Sequence, residues 1–192
     1  NHLSDEIDNP ALWSPDAPNL YQAHTYIYEN DLLVDHFEST FGYAGFIVKF
    51  NNTGTLLWST YFNGGTTNYL ATDNSGNLFL CGTTASTLFP STNAGTYFQP
   101  NQEGANDAYI AKFDALGNLT WATRYGGSGT DASQSIATDQ NGNVFLVGTT
   151  TSTNFPVQNA STFFQGGLAG SQQDVFILKF DNTATRQWAT YI

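Results

Sequence analysis

Basic residues are scarce in this chain: Lys and Arg together number 5 against 16 acids, for a formal charge of −11 over 192 residues. A surface of that sign repels a phosphate backbone, so no nucleic-acid partner is expected. Methionine is absent and cysteine occurs once, at Cys81, which leaves no partner for an internal disulfide. Glutamate is confined to Glu6, Glu29, Glu38 and Glu103, a thin supply for acid/base chemistry. No run approaches the ~18 apolar residues a helical membrane span needs. The opening Asn1-His2-Leu3-Ser4-Asp5 is too polar for a signal peptide, so an exported protein would carry its signal outside this sequence.

What is plentiful points to strands. The chain has 18 Gly, 10 Tyr and 15 Phe, with many Thr and Asn, a composition that favours strands joined by tight turns over helices. Hydrophobic residues make up 40% and can furnish a core. The charge is uneven: residues 1–43 hold eight of the acids and no Lys or Arg.

A long-period repeat organises the rest. Gly45-Phe46-Ile47-Val48-Lys49-Phe50 returns as Ala108-Tyr109-Ile110-Ala111-Lys112-Phe113 and again as Val175-Phe176-Ile177-Leu178-Lys179-Phe180. Each copy leads through a turn to a tryptophan, and the steps from Trp58 to Trp121 and from Trp121 to Trp188 are 63 and 67 residues. A second hairpin follows in two copies, over 70–80 and 136–146, with Ser75-Gly76 and Asn141-Gly142 as its turn signals. Two hairpins per period make a four-stranded sheet. The remaining residues, such as 149–173, form a long connection between periods marked by Phe89-Pro90 and Phe155-Pro156. Apolar residues on both sides of the repeated strands suit a sheet stacked between two others.

The motifs Asp107-Ala108-Tyr109-Ile110, Trp121-Ala122-Thr123-Arg124-Tyr125-Gly126-Gly127 and Ile136-Ala137-Thr138-Asp139, followed by Gly142-Asn143-Val144-Phe145 and Phe155-Pro156, resemble the bacterial seven-bladed β-propeller repeat over residues 44–192. The resemblance implies an all-β, incomplete β-propeller of about two and a half four-stranded blades, with periods at 44–106, 107–173 and, in part, 174–192. It further implies an extracellular or cell-surface bacterial scaffold without assigned catalysis. The first copy departs from the pattern, with Ala44-Gly45 in place of Asp107-Ala108 and a shortened segment at 63–68. Two and a half blades should not close a propeller, which typically needs four to eight. Open edges and self-association are expected unless an N-terminal hairpin caps the array.

Residues 1–43 stand outside the repeat. Asn9-Pro10-Ala11-Leu12-Trp13-Ser14-Pro15, with Pro18-Asn19-Leu20-Tyr21 and then Phe41-Gly42, resembles the end of the immunoglobulin-like β-sandwich domain of glycoside hydrolase family 2, the β-galactosidase family. It implies a β-hairpin with strands near 20–28 and 32–41. In that family an arginine and then the catalytic barrel follow; here Ala44 holds the arginine position and the repeat begins. Retaining glycoside hydrolysis needs two carboxylates about 5 Å apart, and none of the four glutamates sits in the family's catalytic context. The sandwich resemblance therefore carries over without the activity.

Several residue types carry potential chemistry. A three-residue loop at 29–31 would set His24 opposite His36, a pair short of the three or four ligands zinc requires. Asp73-Asn74-Ser75-Gly76-Asn77 and Asp139-Gln140-Asn141-Gly142-Asn143 alternate oxygen side chains as calcium loops do, but each has one carboxylate, which favours a plain turn. Gly64-Gly65 and Gly126-Gly127 precede no helix and read as turns. Trp58, Trp121 and Trp188 suit packing better than sugar stacking because they recur inside a strand. Cys81 lies in an apolar run where the next copy has Val147, so it reads as a core residue. The better ligand surface is the set of aromatics on the long connections, Tyr97, Phe98, Phe163 and Phe164, facing a polysaccharide or protein partner. No cofactor or metal is expected.

Overall fold

Alternating apolar residues place strands where the repeat puts them. The computed structural model describes residues 21–29, 32–40, 44–159, 163–170 and 172–192, with side chains from residue 46 onward. All the regular structure among them is β: β1 (Tyr21–Glu29), β2 (Leu32–Thr40), β3 (Ala44–Phe50), β4 (Leu56–Phe62), β5 (Thr66–Thr72), β6 (Leu78–Thr84), β7 (Asp107–Phe113), β8 (Leu119–Tyr125), β9 (Asp131–Thr138), β10 (Val144–Thr150), β11 (Asp174–Phe180) and β12 (Arg186–Tyr191). They form three four-stranded sheets, in the orders β2-β1-β3-β4, β5-β6-β7-β8 and β12-β11-β10-β9. The described residues contain no helix, hence none able to cross a membrane. The molecule is an incomplete propeller-like array.

The sheets are out of phase with the sequence period. Each complete blade joins the second hairpin of one period to the first hairpin of the next, so the blades run from Thr66 to Tyr125 and from Asp131 to Tyr191 rather than along 44–106 and 107–173. The long connections therefore do not link blades. They link β6 to β7 and β10 to β11, neighbours within one sheet, whereas the short segments 63–65 and 126–130 cross between sheets. The physical reason is apolar content. β6 and β7 are buried along nearly their whole length, and pairing them, Leu80 opposite Ala111 and Cys81 opposite Ile110, puts the two strands with two apolar faces at the centre of the stack.

The middle sheet packs on both sides. Toward the first sheet, Leu78, Leu80, Tyr109, Ala111 and Phe113 meet Ile47, Phe62 and Trp58. Toward the third, Phe79, Cys81, Ile110 and Trp121 meet Leu146, Phe176, Leu178 and Phe180. The third sheet alternates accordingly: Val144, Leu146 and Gly148 in β10 and Phe176, Leu178 and Phe180 in β11 are buried, while Phe145, Val147 and Ile177 are half-buried.

The N-terminal hairpin enters the array. β1 lies parallel to β3, Gln22 opposite Gly45 and Ala23 opposite Phe46, and takes beside β3 the place β6 takes beside β7. The half blade expected at 174–192 does not form, because β11 and β12 complete the third sheet; the hairpin left over is β3–β4 at the start of the repeat, and with β1 and β2 it makes a four-stranded hybrid sheet. Within the hairpin, pairing closes at Glu29 opposite Leu32 and slips at Ile27/Tyr28. This shorter closure and its bulge set His24 opposite Glu38 and His36 opposite Tyr26, so the expected His24–His36 pair does not form. The Asn9–Leu20 signature lies outside the described residues.

The hairpin turns have one construction. Asp73, Asp114, Asp139 and Asp181 each accept, on Oδ1, backbone N–H bonds from the residues two and four positions on. Gly76 and Gly142 follow with φ of 74°, the left-handed region that only glycine enters without strain.

Candidate functional site

The two ends of the stack differ in chemistry. At the turn end, a shallow cleft of about 380 Å³ lies among Asp73, Asn74, Asn77, Lys112, Gln140 and Asn182. Its polar groups face one another: Lys112 Nζ donates to Asn182 O at 3.2 Å, Asn74 Nδ2 to Gln140 O at 3.4 Å and Asn182 Nδ2 to Asn141 O at 3.3 Å. The Oδ2 atoms of Asp73 and Asp139 accept from Asn77 Nδ2 and Asn143 Nδ2 at 2.7 and 2.6 Å. With Oδ1 holding two backbone N–H groups as well, these carboxylates act as turn staples. The described residues hold no group of three or more His, Cys, Asp or Glu suited to a metal.

The connection end carries the expected aromatics. Phe89 and Phe155, of the two Phe-Pro pairs, are buried plugs: Phe89 lies 5.4 Å from Tyr109, and Phe155 stacks on Phe176 at 4.6 Å. Beyond Phe89 the chain folds over the interface between the second and third sheets. A cleft of about 310 Å³ opens there, lined by Tyr97, Phe98, Pro100, Asn101, Glu103 and Pro156 among others.

Tyr97 and Phe98 are adjacent in sequence but differ in role. The Tyr97 ring lies 4.6 Å from that of Tyr125 and under the Arg186 guanidinium, 4.6 Å from its centroid. Burial holds the Tyr97 phenol well above its ordinary pKa, with the neighbouring Tyr125 adding to the effect. Its hydroxyl donates to Gln99 Oε1 at 2.8 Å. Tyr97 is therefore a packed support, and half-buried Phe98 beside it lines the cleft. Phe163 and Phe164 hold the same positions in the next copy and are 60% and 40% exposed. The structure thus brings Tyr97 and Phe98 to one cleft and leaves Phe163 and Phe164 on open surface.

Beneath the cleft lies a buried polar web. Gln99 Nε2 donates to Asp107 Oδ2 at 2.9 Å, Gly126 N to Gln99 Oε1 at 3.1 Å, and Gln99 N to Thr123 Oγ1 at 2.8 Å. Asp131 Oδ2 accepts from Gly127 N and Ser152 Oγ, both at 2.8 Å. Gly126 is wedged between the acids: a Cβ there would stand 2.6 Å from Asp131 Oδ2 and 2.9 Å from Asp107 Oδ1, so no other residue fits. Both aspartates have no exposed surface. Burial raises the Asp107 pKa, opposed by the N–H groups of Glu103 and Gly104. Arg124 completes the web, donating through Nη2 to Ser86 O at 2.7 Å and through Nη1 to Ser91 Oγ at 3.1 Å and to Pro100 O. Its guanidinium also lies 4.8 Å from the Phe89 centroid.

Sequence reasoning missed the glutamine at the centre of this web. The signal was present: Phe98-Gln99 recurs as Phe164-Gln165, and Gln165 repeats the bonds, its N–H to Thr190 Oγ1 at 2.8 Å and its Nε2 to Asp174 Oδ2 at 3.2 Å.

The three tryptophans lie in sheet packing. Trp121 is buried against Phe180 at 5.0 Å, Trp58 packs half-buried with Nε1 bonded to Ala115 O at 3.0 Å, and Trp188 is half-buried beside Phe145.

Stacked four-stranded sheets, with Phe-Pro plugs closing one end and Asp-stapled turns the other, define a β-propeller blade array. Comparison with known proteins places two families on the chain. Residues 120–156 match the family described as Beta-propeller repeat, from β8 to the second Phe-Pro pair. Residues 2–43 match Glycosyl hydrolases family 2, up to the residue before β3. The chain is also 29% identical, over 109 residues and 54% of its length, to an uncharacterized WD repeat-containing protein of Acanthamoeba polyphaga mimivirus. It is 45% identical, over 55 residues and 29% of its length, to a protein of Formosa agariphila provisionally named a beta-glucuronidase. The matched stretches cover 8% and 4% of those two proteins. The two-part resemblance is thus shown: a propeller repeat preceded by a family 2 segment.

Proposed function

We propose that the chain is a non-catalytic, extracytoplasmic β-propeller module of a bacterial protein, a scaffold whose connection end binds a polysaccharide. The observation that carries this reading is the cleft beside Phe98. It combines the apolar surfaces of Phe98, Pro100 and Pro156 with the amide and carboxylate of Asn101 and Glu103, a mixture suited to the apolar faces and hydroxyl rims of sugar rings. Exposed Phe163 and Phe164 offer a second aromatic surface of the same kind. Against hydrolysis stands the burial of Asp107 and Asp131. They are the acids nearest each other below the cleft, yet they have no exposed surface and hold backbone and side-chain donors.

A glycan array probed with the full chain should give binding that Phe98→Ala weakens at least tenfold while Asn141→Ala leaves it unchanged. Absence of any bound glycan would overturn the ligand class. The family 2 match at 2–43 supports a second reading, a piece of a glycoside hydrolase whose catalytic groups lie in other sequence. Turnover of a chromogenic galactoside or glucuronide by this chain would overturn the non-catalytic reading.

A further inference from the structure

The outer face of the third sheet, and the outer face of the first sheet along β3 and β4, repeat position by position the two faces that meet between the second and third sheets. On the middle sheet, Phe79, Cys81, Ile110 and Trp121 are fully or almost fully buried because the third sheet covers them. Their counterparts on the far side of the third sheet are Phe145, Val147, Ile177 and Trp188, all half-buried. Tyr125, buried in the middle sheet, corresponds to Ile192, which is 56% exposed.

The opposite end shows the complementary face. The third sheet covers the middle one with Phe176, Leu178, Phe180 and Tyr191, each buried. The matching residues of the first sheet are Phe46, Val48, Phe50 and Tyr61. Alternation along β3 and β4 turns them away from the middle sheet, because Ile47 and Phe62 are the residues that pack on it. Phe46, Val48 and Phe50 are half-buried and Tyr61 is 70% exposed.

Each inner interface also carries a bond to the same turn carbonyl position, from a different donor in each, and Trp121 does not repeat the bond of Trp58. Trp58 Nε1 donates to Ala115 O across the first interface, and Lys112 Nζ to Asn182 O across the second. Both acceptors are the second residue of the turn that opens the next sheet's tryptophan strand. Lys112 stands 5.3 Å over the Phe79 ring, and Lys179 stands at the same distance over Phe145 on the outer face. In the first sheet the second turn residue is Asn52, which is exposed. A donor-bearing face with Lys179 and Trp188 at one end thus matches a face with an exposed turn carbonyl at the other.

We propose that the occupant of the outer face of the third sheet is the outer face of the first sheet of a second copy of this chain. The contact is head-to-tail and continues the stack with the geometry already present between the second and third sheets. Two copies supply six sheets, twice the three of one chain, within the four to eight at which propellers close. The contact forms twice around a two-fold axis and gives a closed ring rather than an open filament. Lys179 Nζ of one copy then meets Asn52 O of the other.

Sedimentation of the full chain tests this, with twice the monomer mass expected. Ile177→Glu and Val48→Glu, one on each face, should each raise the dimer dissociation constant at least tenfold. An equimolar mixture of the two should regain dimer, because one unsubstituted pair of faces survives in the mixed species; that regained dimer also shows both variants to be folded. Ile192→Glu and Tyr61→Glu, at exposed positions, should weaken the dimer in the same way without touching the core. A monomeric parent chain overturns the proposal. So does a dimer that Val48→Glu and Tyr61→Glu leave intact, which would mean a face-to-itself or strand-edge contact.

Discussion

Cys81 lies with no exposed surface among Phe79, Ile110 and Trp121, and burial pushes its thiol pKa up to about 12. A thiol reagent needs the thiolate, so the native chain should resist an aromatic disulfide reagent at neutral pH and react once unfolded by guanidinium. Fast labelling of the native chain would contradict this placement. Cys81→Val, copying Val147, should be tolerated, whereas Cys81→Ser buries a hydroxyl and should cost about 1–3 kcal/mol in denaturant unfolding. Trp121 and Trp188 make a second contrast: identical in the repeat, they differ in cover, one buried between sheets and the other half-buried on the outer face. Trp121→Ala should cost roughly 3–5 kcal/mol and Trp188→Ala markedly less under dilute, monomeric conditions. The sequence could name both as packing residues but not rank them. Tyr97 and Phe163 were equally inseparable, since what buries Tyr97 is Phe180 and Arg186 of the adjacent sheet, more than eighty positions along the chain.

The hairpin turns are the elements that sequence described best, because an Asp, a glycine and an asparagine at fixed offsets fix a turn locally. Their carboxylates are structural. The Asn118 and Asn143 side-chain amides bonded to Asp114 and Asp139 hold those carboxyls below the ordinary carboxylate value of 3.8. With the folded-state pKa depressed, the stability each contributes is present above the unfolded value and is lost as pH falls through the folded one. Asp114→Asn and Asp139→Asn should therefore be less stable than the parent at pH 7. Thermal unfolding should show the difference shrink toward zero in acid below the ordinary carboxylate range; a difference constant with pH would contradict the role. Calcium at millimolar concentration should not shift the melting temperature through these loops, whose carboxylate oxygens are already occupied. The register of β1 and β2 was less legible, since the slip at Ile27/Tyr28 moves His24 off His36 and no residue in the sequence announces it.

At the scale of the molecule, strand positions and the propeller class were legible and the phase of the blades was not. A periodic sequence defines the repeating unit without saying where the sheet is cut. β3–β4 and β5–β6 look like one blade when read along the chain, yet pairing β6 with β7 buries two doubly apolar strands at the centre of a sheet. The buried web under the cleft was illegible for the same reason. Gln99, Asp107, Gly126, Asp131 and Ser152 come from three stretches of the chain, 99–107, 126–131 and 152, and meet only once the long connection folds back inside its own sheet. The cleft, the buried carboxylates and the outer faces all depend on that phase. Cross-strand nuclear Overhauser effects in the full chain test it most directly. Backbone contacts are expected between Leu80 and Ala111 and between Leu146 and Leu178, each pair joining two periods of the sequence. Their absence, with β4 and β5 found paired in their place, would contradict it.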